Sequence, residues 1–130
     1  MEKDVLKKLM VERYAEIALL NAPDEFVSLL SEMPVTVSND PSGRYGYVQM
    51  FITSQKEIAD IGKRITDAVD GDGLLWICYP KRSSKRYRAD CDRDTLRGSL
   101  EMYGFSAVAQ FPLSDDWSAV RFRRSGFKGR

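Results

Sequence analysis

The hexapeptide Leu74-Leu75-Trp76-Ile77-Cys78-Tyr79 is apolar at every position and is bounded by Gly73 and Pro80. A half-buried strand alternates apolar with polar residues, and an amphipathic helix turns a polar face to water. A short run with neither pattern predicts a central parallel strand covered on both sides by helices. The chain has 130 residues, 43% of them hydrophobic, which suits one domain spanning 1–130 around a single core.

The rest of the chain supplies those helices. Val5, Leu6, Leu9 and Met10 recur at helical spacing within residues 2–12, and Glu16 to Leu20 reads as a strand. The turn Asn21-Ala22-Pro23-Asp24-Glu25 follows, with Asn21 or Ala22 near the cap of a helix carrying Phe26, Val27, Leu29 and Leu30. Val35 to Val37 predicts a short strand, ended by Asn39-Asp40-Pro41-Ser42-Gly43. Tyr45 to Thr53 predicts another strand. Thr53 or Ser54 then caps a helix with Ile58, Ile61, Ile65 and Val69 on one face, stopped by Asp70-Gly71-Asp72-Gly73. After the central strand, Asp92 or Asp94 caps a helix bearing Leu96, Leu100 and Tyr103, which Gly104 closes. Phe105 to Leu113, the turn Ser114-Asp115-Asp116 and Trp117 to Arg123 predict a terminal hairpin. The expected fold is α/β: a three-layer, Rossmann-like, mostly parallel sheet with a C-terminal antiparallel hairpin.

Composition narrows the chemistry. The chain contains no histidine, which excludes a Ser-His-Asp triad, a cysteine-histidine pair and a His-Glu-x-x-His zinc site within one chain. Cys78 reads as a small core residue and Cys91 lies in a charged loop, with no spacing that suggests a metal or a disulfide. The N-terminus lacks the apolar stretch of a signal, and no run is long enough to span a bilayer, so the expected location is the cytoplasm, without membrane partners. Residues 1–80 hold 8 basic and 13 acidic side chains against 12 and 6 in residues 81–130. Such asymmetry marks a candidate anion-binding face in the second half.

This order of elements resembles a class I methyltransferase core. The segments Leu75-Trp76-Ile77-Cys78-Tyr79-Pro80-Lys81-Arg82-Ser83-Ser84-Lys85, Asp92-Arg93-Asp94-Thr95-Leu96 and Asp115-Asp116-Trp117-Ser118-Ala119-Val120-Arg121-Phe122 are similar to an uncharacterised bacterial family, domain of unknown function 3052. That resemblance covers residues 13–124 and implies a methyltransferase-like fold with no established activity. The first strand-to-helix turn departs from the methyltransferase pattern. It has no glycine, loses an N–H at Pro23 and carries two carboxylates where a cofactor's backbone contacts would form. No cofactor is therefore expected there in the usual manner, neither S-adenosylmethionine nor a dinucleotide. Asp40 reads as a turn residue rather than a ribose ligand.

The candidate ligand site follows the central strand. Lys81, Arg82, Lys85, Arg86 and Arg88 are interleaved with Ser83, Ser84 and Tyr87, a set suited to phosphate or carboxylate at the end of a sheet where α/β folds bind ligands. Trp117, Ser118 and Arg121 join it if the hairpin folds over that loop. The competing reading is a solvated loop. A second basic cluster, Arg121, Arg123, Arg124, Lys128 and Arg130, reads as the outer side of an edge strand and a frayed tail, or as a nucleic-acid arm. Asp90, Asp92, Asp94 and Glu101 imitate a calcium loop, but Thr95 stands where that loop needs glycine, so no metal site is expected. No catalytic residue is assigned. The sequence reading favours a non-catalytic binding or interaction module with a small anion or a protein as partner. A nucleic-acid-binding module using residues 81–88 and 121–130 is the alternative, and a diverged transferase comes third.

Overall fold

A computed structural model describes residues 1–125. Six strands form one sheet in the order β2-β1-β3-β4-β6-β5. They are β1 (Glu16–Leu20), β2 (Thr36–Ser38), β3 (Tyr45–Phe51), β4 (Val69–Pro80), β5 (Phe105–Pro112) and β6 (Trp117–Arg124). The first four are mutually parallel, and β6 runs antiparallel to both β4 and β5. The expected α/β architecture with its closing hairpin is thus the observed one.

The apolar run in β4 shows why both faces need cover. Leu74, Trp76 and Cys78 face α1 (Val5–Leu9) and α2 (Asp24–Leu30), packing with Leu9, Phe26, Phe51 and Trp117. Leu75, Ile77 and Tyr79 face the other side, with Ile58 and Ile65 of α3 (Gln55–Asp67) and Leu96 of α4 (Arg93–Arg97). Each fully buried large apolar side chain contributes about 1.5–3 kcal/mol relative to exposure, so the two layers hold the sheet from both sides. The Trp76 indole N–H also donates to the Leu9 carbonyl at 3.1 Å, tying α1 to the centre of the sheet.

The helix boundaries follow local chemistry. Ser54 caps α3 by accepting the Glu57 N–H at 3.2 Å, while Glu57 reaches back to the Thr53 hydroxyl at 2.8 Å. Asp92 caps α4 in a reciprocal arrangement with Thr95. The first helix is shorter than its apolar spacing predicts, because Met10 turns left-handed at φ 66° and a single 3-10 turn, Val11–Arg13, follows. Among the described residues no helix is long and apolar enough to cross a membrane.

Two local expectations are corrected. Val69 to Gly73 do not end a helix; they are the irregular start of β4, paired with β3 through a register shift between Tyr45 and Tyr47. Gly73 is needed there because a Cβ would lie 2.8 Å from the Gly46 carbonyl oxygen. The strand bearing Arg121 and Arg123 is not an edge: β6 lies between β4 and β5, and β5 forms the edge. Arg123 makes a two-point bond to Asp72 at 2.9 and 2.7 Å, and Arg124 donates to the carbonyls of Gly71 and Val69 at 3.0 and 2.8 Å. These arginines clasp the amino-terminal end of the sheet. Lys128 and Arg130 lie outside the described residues.

Candidate active site at the carboxyl end of the sheet

The chain leaves β1 through α2 toward β2 and then returns to β3 on the other side of β1. Connections from β1 and β3 therefore diverge, and the crevice beyond their carboxyl ends is where open α/β sheets bind ligands. A cleft of about 410 Å³ occupies that place, lined by Asn21, Ala22, Pro23, Asp24, Glu25, Thr53, Arg86, Tyr87 and Trp117.

Asn21 makes the bend into the cleft. It adopts φ 59°, the left-handed region that glycine commonly fills and asparagine tolerates best among the other residues. The turn thus has a left-handed residue without containing glycine. Pro23, not Asn21 or Ala22, stands at the cap of α2, and no side chain caps that helix.

Two polar atoms of the cleft residues are buried without a hydrogen-bond partner: Glu25 Oε1 and Trp117 Nε1. The Trp117 side chain is held firmly. It is 3% exposed, meets the Phe51 ring edge-on at 5.0 Å and packs against Tyr87 at 4.8 Å. Glu25 Oε2 stands 3.7 Å from the Arg86 guanidinium, which is equally 3.7 Å from Asp116. Both separations are too long for good hydrogen bonds. The cleft is thus lined by a carboxylate and an indole whose unpartnered polar atoms are shielded from solvent, and by a guanidinium set between two carboxylates and over the Tyr87 ring.

The segment 81–92 crosses the end of the sheet as a strap. The Lys81 N–H donates to the Asp116 carbonyl at 2.8 Å, and Ser84 Oγ donates to the Asp116 carboxylate at 2.8 Å. Farther along, the Asp90 carboxylate accepts the Gln55 N–H at 2.7 Å at the start of α3. A second cavity of about 310 Å³ lies along this strap, lined by Pro80, Lys81, Arg82, Ser84, Tyr87, Arg88, Ala89 and Cys91. Tyr87 is a wall of both cavities.

The structure divides the residues proposed from sequence. Lys81, Arg82 and Ser84 line the second cavity, and Arg86 and Trp117 line the cleft. Ser83 and Lys85 are exposed and line neither. Ser118 is buried opposite Tyr79, one step along β6 from Trp117 and so on the other face of the sheet. Arg121 pairs with Trp76 in mid-strand, well below the cleft, with its Nε buried and unpartnered. Asp40 is likewise absent from the cleft: its carboxylate accepts the Ser42 N–H at 2.9 Å, which with the Ser42 side chain lowers its pKa. Glu25 and Asp116 were missed as partners of Arg86. In the sequence, Glu25 is one of two acids in a first helical turn, a position that the helix dipole alone accounts for.

Both thiols are buried. Burial raises Cys91 from 9.0 to about 11, and burial pushes Cys78 higher still, so both are protonated near neutrality. The loop position of Cys91 hid its burial.

No family model matches the chain, and no curated protein matches it in sequence. Solved structures do share its fold. The mitomycin 7-O-methyltransferase MmcR superposes with a TM-score of 0.61 at 11% identity, covering 93% of this chain and 54% of its own. Magnesium protoporphyrin IX methyltransferase from Synechocystis PCC 6803, solved with bound S-adenosylmethionine, gives 0.61 at 13% identity, covering 94% of this chain and 77% of its own. The N-methyltransferase NodS from Bradyrhizobium japonicum WM9 gives 0.59 at 10% identity, covering 94% and 93%. The chain therefore spans about half the length of the mitomycin enzyme and nearly all of NodS. At these identities the likeness establishes a methyltransferase-like Rossmann fold.

These neighbours correct the functional expectation. The sequence reading puts a non-catalytic module first, nucleic-acid binding second and an enzyme last, whereas the solved structures named above, and a putative sarcosine dimethylglycine methyltransferase from Galdieria sulphuraria, are described as methyltransferases. Among the described residues, the two basic clusters of the nucleic-acid alternative lie at opposite ends of the sheet. Arg123 and Arg124 are engaged at the amino-terminal end of the sheet, and the 81–88 segment lies at the carboxyl-terminal end.

Proposed function

We propose that this chain is a diverged methyltransferase-type transferase whose switch-point cleft takes S-adenosylmethionine. The observation that carries the reading is the buried, unpartnered Glu25 Oε1 in a cleft also lined by Asp24, Tyr87 and Trp117. The lack of glycine and the two acids argue against a phosphate, which needs close N–H donors and no facing carboxylates. S-adenosylmethionine has no phosphate. It carries a sulfonium and an ammonium cation, and both are favoured near carboxylates and aromatic faces.

When bound, it supplies an electrophilic methyl group on positively charged sulfur. Glu25 Oε1 accepts from the ammonium group, and the Arg86 guanidinium offers donors to the carboxylate of the same amino-acid moiety. Tyr87 and Trp117 wall the site with aromatic surface and exclude water. The strap keeps Tyr87 in place through Ser84, whose Oγ accepts the Tyr87 N–H at 3.1 Å.

Membership of the domain of unknown function 3052 family, on the segments 75–85, 92–96 and 115–122, belongs to this reading. So does a cytoplasmic location, in keeping with two free cysteines.

Thermal unfolding with and without ligand tests the reading. At ten times its dissociation constant, S-adenosylmethionine adds about 1.4 kcal/mol of stability, which raises the Tm of a domain this size by roughly 3–6 °C. Glu25→Gln abolishes most of the rise. No rise at millimolar ligand refutes the reading.

A further inference from the structure

The basic strap has a second chemistry that the cleft does not absorb. The cleft is acid-lined, and the cavity beside it is base-lined: Lys81, Arg82 and Arg88 surround about 310 Å³ together with Ser84. Arg82 is paired with Asp92 at 2.9 Å. Lys81 and Arg88 have no ion-pair partner among the described residues, although three acids, Asp90, Asp92 and Asp94, follow closely in the chain. Asp90 is committed to α3 and Asp92 to Arg82 and Thr95. Two cations facing one cavity repel each other, and an oxyanion between them removes that cost while taking charge-assisted hydrogen bonds.

We propose that this cavity binds an oxyanion group, a carboxylate or a phosphate, on the substrate that accepts the methyl group. Lys81 and Arg88 are its principal ligands. Tyr87 is the wall common to cavity and cleft, so an anionic substrate here lies next to a cationic donor there. Opposite charge in adjoining cavities sorts the two ligands to their places. As the acceptor's site the cavity rests on the transferase reading above; as an oxyanion site it stands on its own lining.

The test is an NMR titration of ¹⁵N-labelled protein with sodium phosphate and, separately, sodium benzoate at constant ionic strength. The expected result is saturable shifts at the amides of Lys81, Ser84 and Arg88 with at least one of the two anions. The one that binds identifies the group. Lys81→Ala/Arg88→Ala weakens that binding at least tenfold and leaves S-adenosylmethionine affinity unchanged. The Lys81 backbone bond to Asp116 survives this change, and the Arg88 side chain is exposed, so the fold is retained. Absence of saturable shifts with either anion up to about 20 mM, where even weak millimolar sites fill, overturns the proposal. So does unchanged binding in the double variant. Oxyanion binding without any S-adenosylmethionine binding removes the transferase reading and leaves the cavity assignment standing.

Discussion

Ser84 and Asp116 are joined by a hydrogen bond of 2.8 Å that fastens the strap to the turn of the hairpin, 32 residues away in the chain. The Lys81 N–H reaches the carbonyl of the same aspartate, so one residue holds the strap at two points. Arg86 approaches Asp116 and Glu25 alike, bringing the strap against α2. The cleft and the basic cavity owe their shared wall to this anchoring.

Asp116→Ala removes the side-chain anchor and leaves Ser84 Oγ without its acceptor. The core is untouched, and global stability falls by about 1–2 kcal/mol, the range for one hydrogen bond to a charged group. The local effect is larger. Trypsin cleaves after Lys81, Arg82, Lys85, Arg86 or Arg88 roughly tenfold faster, because local opening free energy governs proteolysis of a folded chain. Mass spectrometry of the first cut checks this. Equal cutting rates in variant and wild type contradict the anchor.

Asn21 predicts an ordered pair of substitutions. At φ 59° a β-branched side chain is strained, and Asn21→Val costs about 1–2 kcal/mol. Asn21→Gly changes stability by less than about 0.5 kcal/mol, because glycine's ease at this angle offsets its greater freedom when unfolded. Urea unfolding of the three proteins gives the order.

Ser54→Ala removes the acceptor for the Glu57 N–H at the start of α3 and costs about 1 kcal/mol. Thr53→Ala at the neighbouring position costs less, because the Glu57 carboxylate loses one donor and stays near water. Thermal unfolding ranks the pair.

Cys91 predicts a pH signature. Its folded pKa of about 11 exceeds the ordinary 9.0, and burial is the first cause. The neutral thiol is therefore the form favoured by folding. Its contribution to stability is fully present below pH 9 and is lost as pH rises from 9 toward 11. At pH 8 the thiolate fraction is lower than in a free cysteine by about a hundredfold, and alkylation by iodoacetamide slows accordingly. Native protein at pH 8 takes up label at neither thiol on the time scale of free cysteine, whereas protein in denaturant takes up two.

Much of the fold was legible because its signals are local. The apolar run 74–79 required cover on both faces, Glu16 to Leu20 read as a strand, and Ser54 marked the start of a helix; the helix expected to run from Asp92 to Gly104 instead ends at Arg97, and Gly104 closes only the 3-10 turn Glu101–Tyr103. The start of β4 was not legible. Asp70-Gly71-Asp72-Gly73 has the residues of a turn, and only the close approach of Gly73 to Gly46 makes it strand. The site was legible in part. The basic segment after β4 was visible, but its division between two cavities depends on Asp116 and Glu25, which are 91 positions apart in the chain. The left-handed bend at Asn21 was not legible either, because asparagine, unlike glycine, more often adopts other conformations.

The central claim is that the acid-lined cleft takes S-adenosylmethionine through Glu25. Isothermal titration of the protein with that compound, in the wild type and in Glu25→Gln, tests it most directly. The account predicts one-to-one binding in the wild type and at least tenfold weaker binding in the variant, the size of one charge-assisted hydrogen bond. Absence of binding heat in the wild type at several temperatures, or equal affinity in the two proteins, contradicts it.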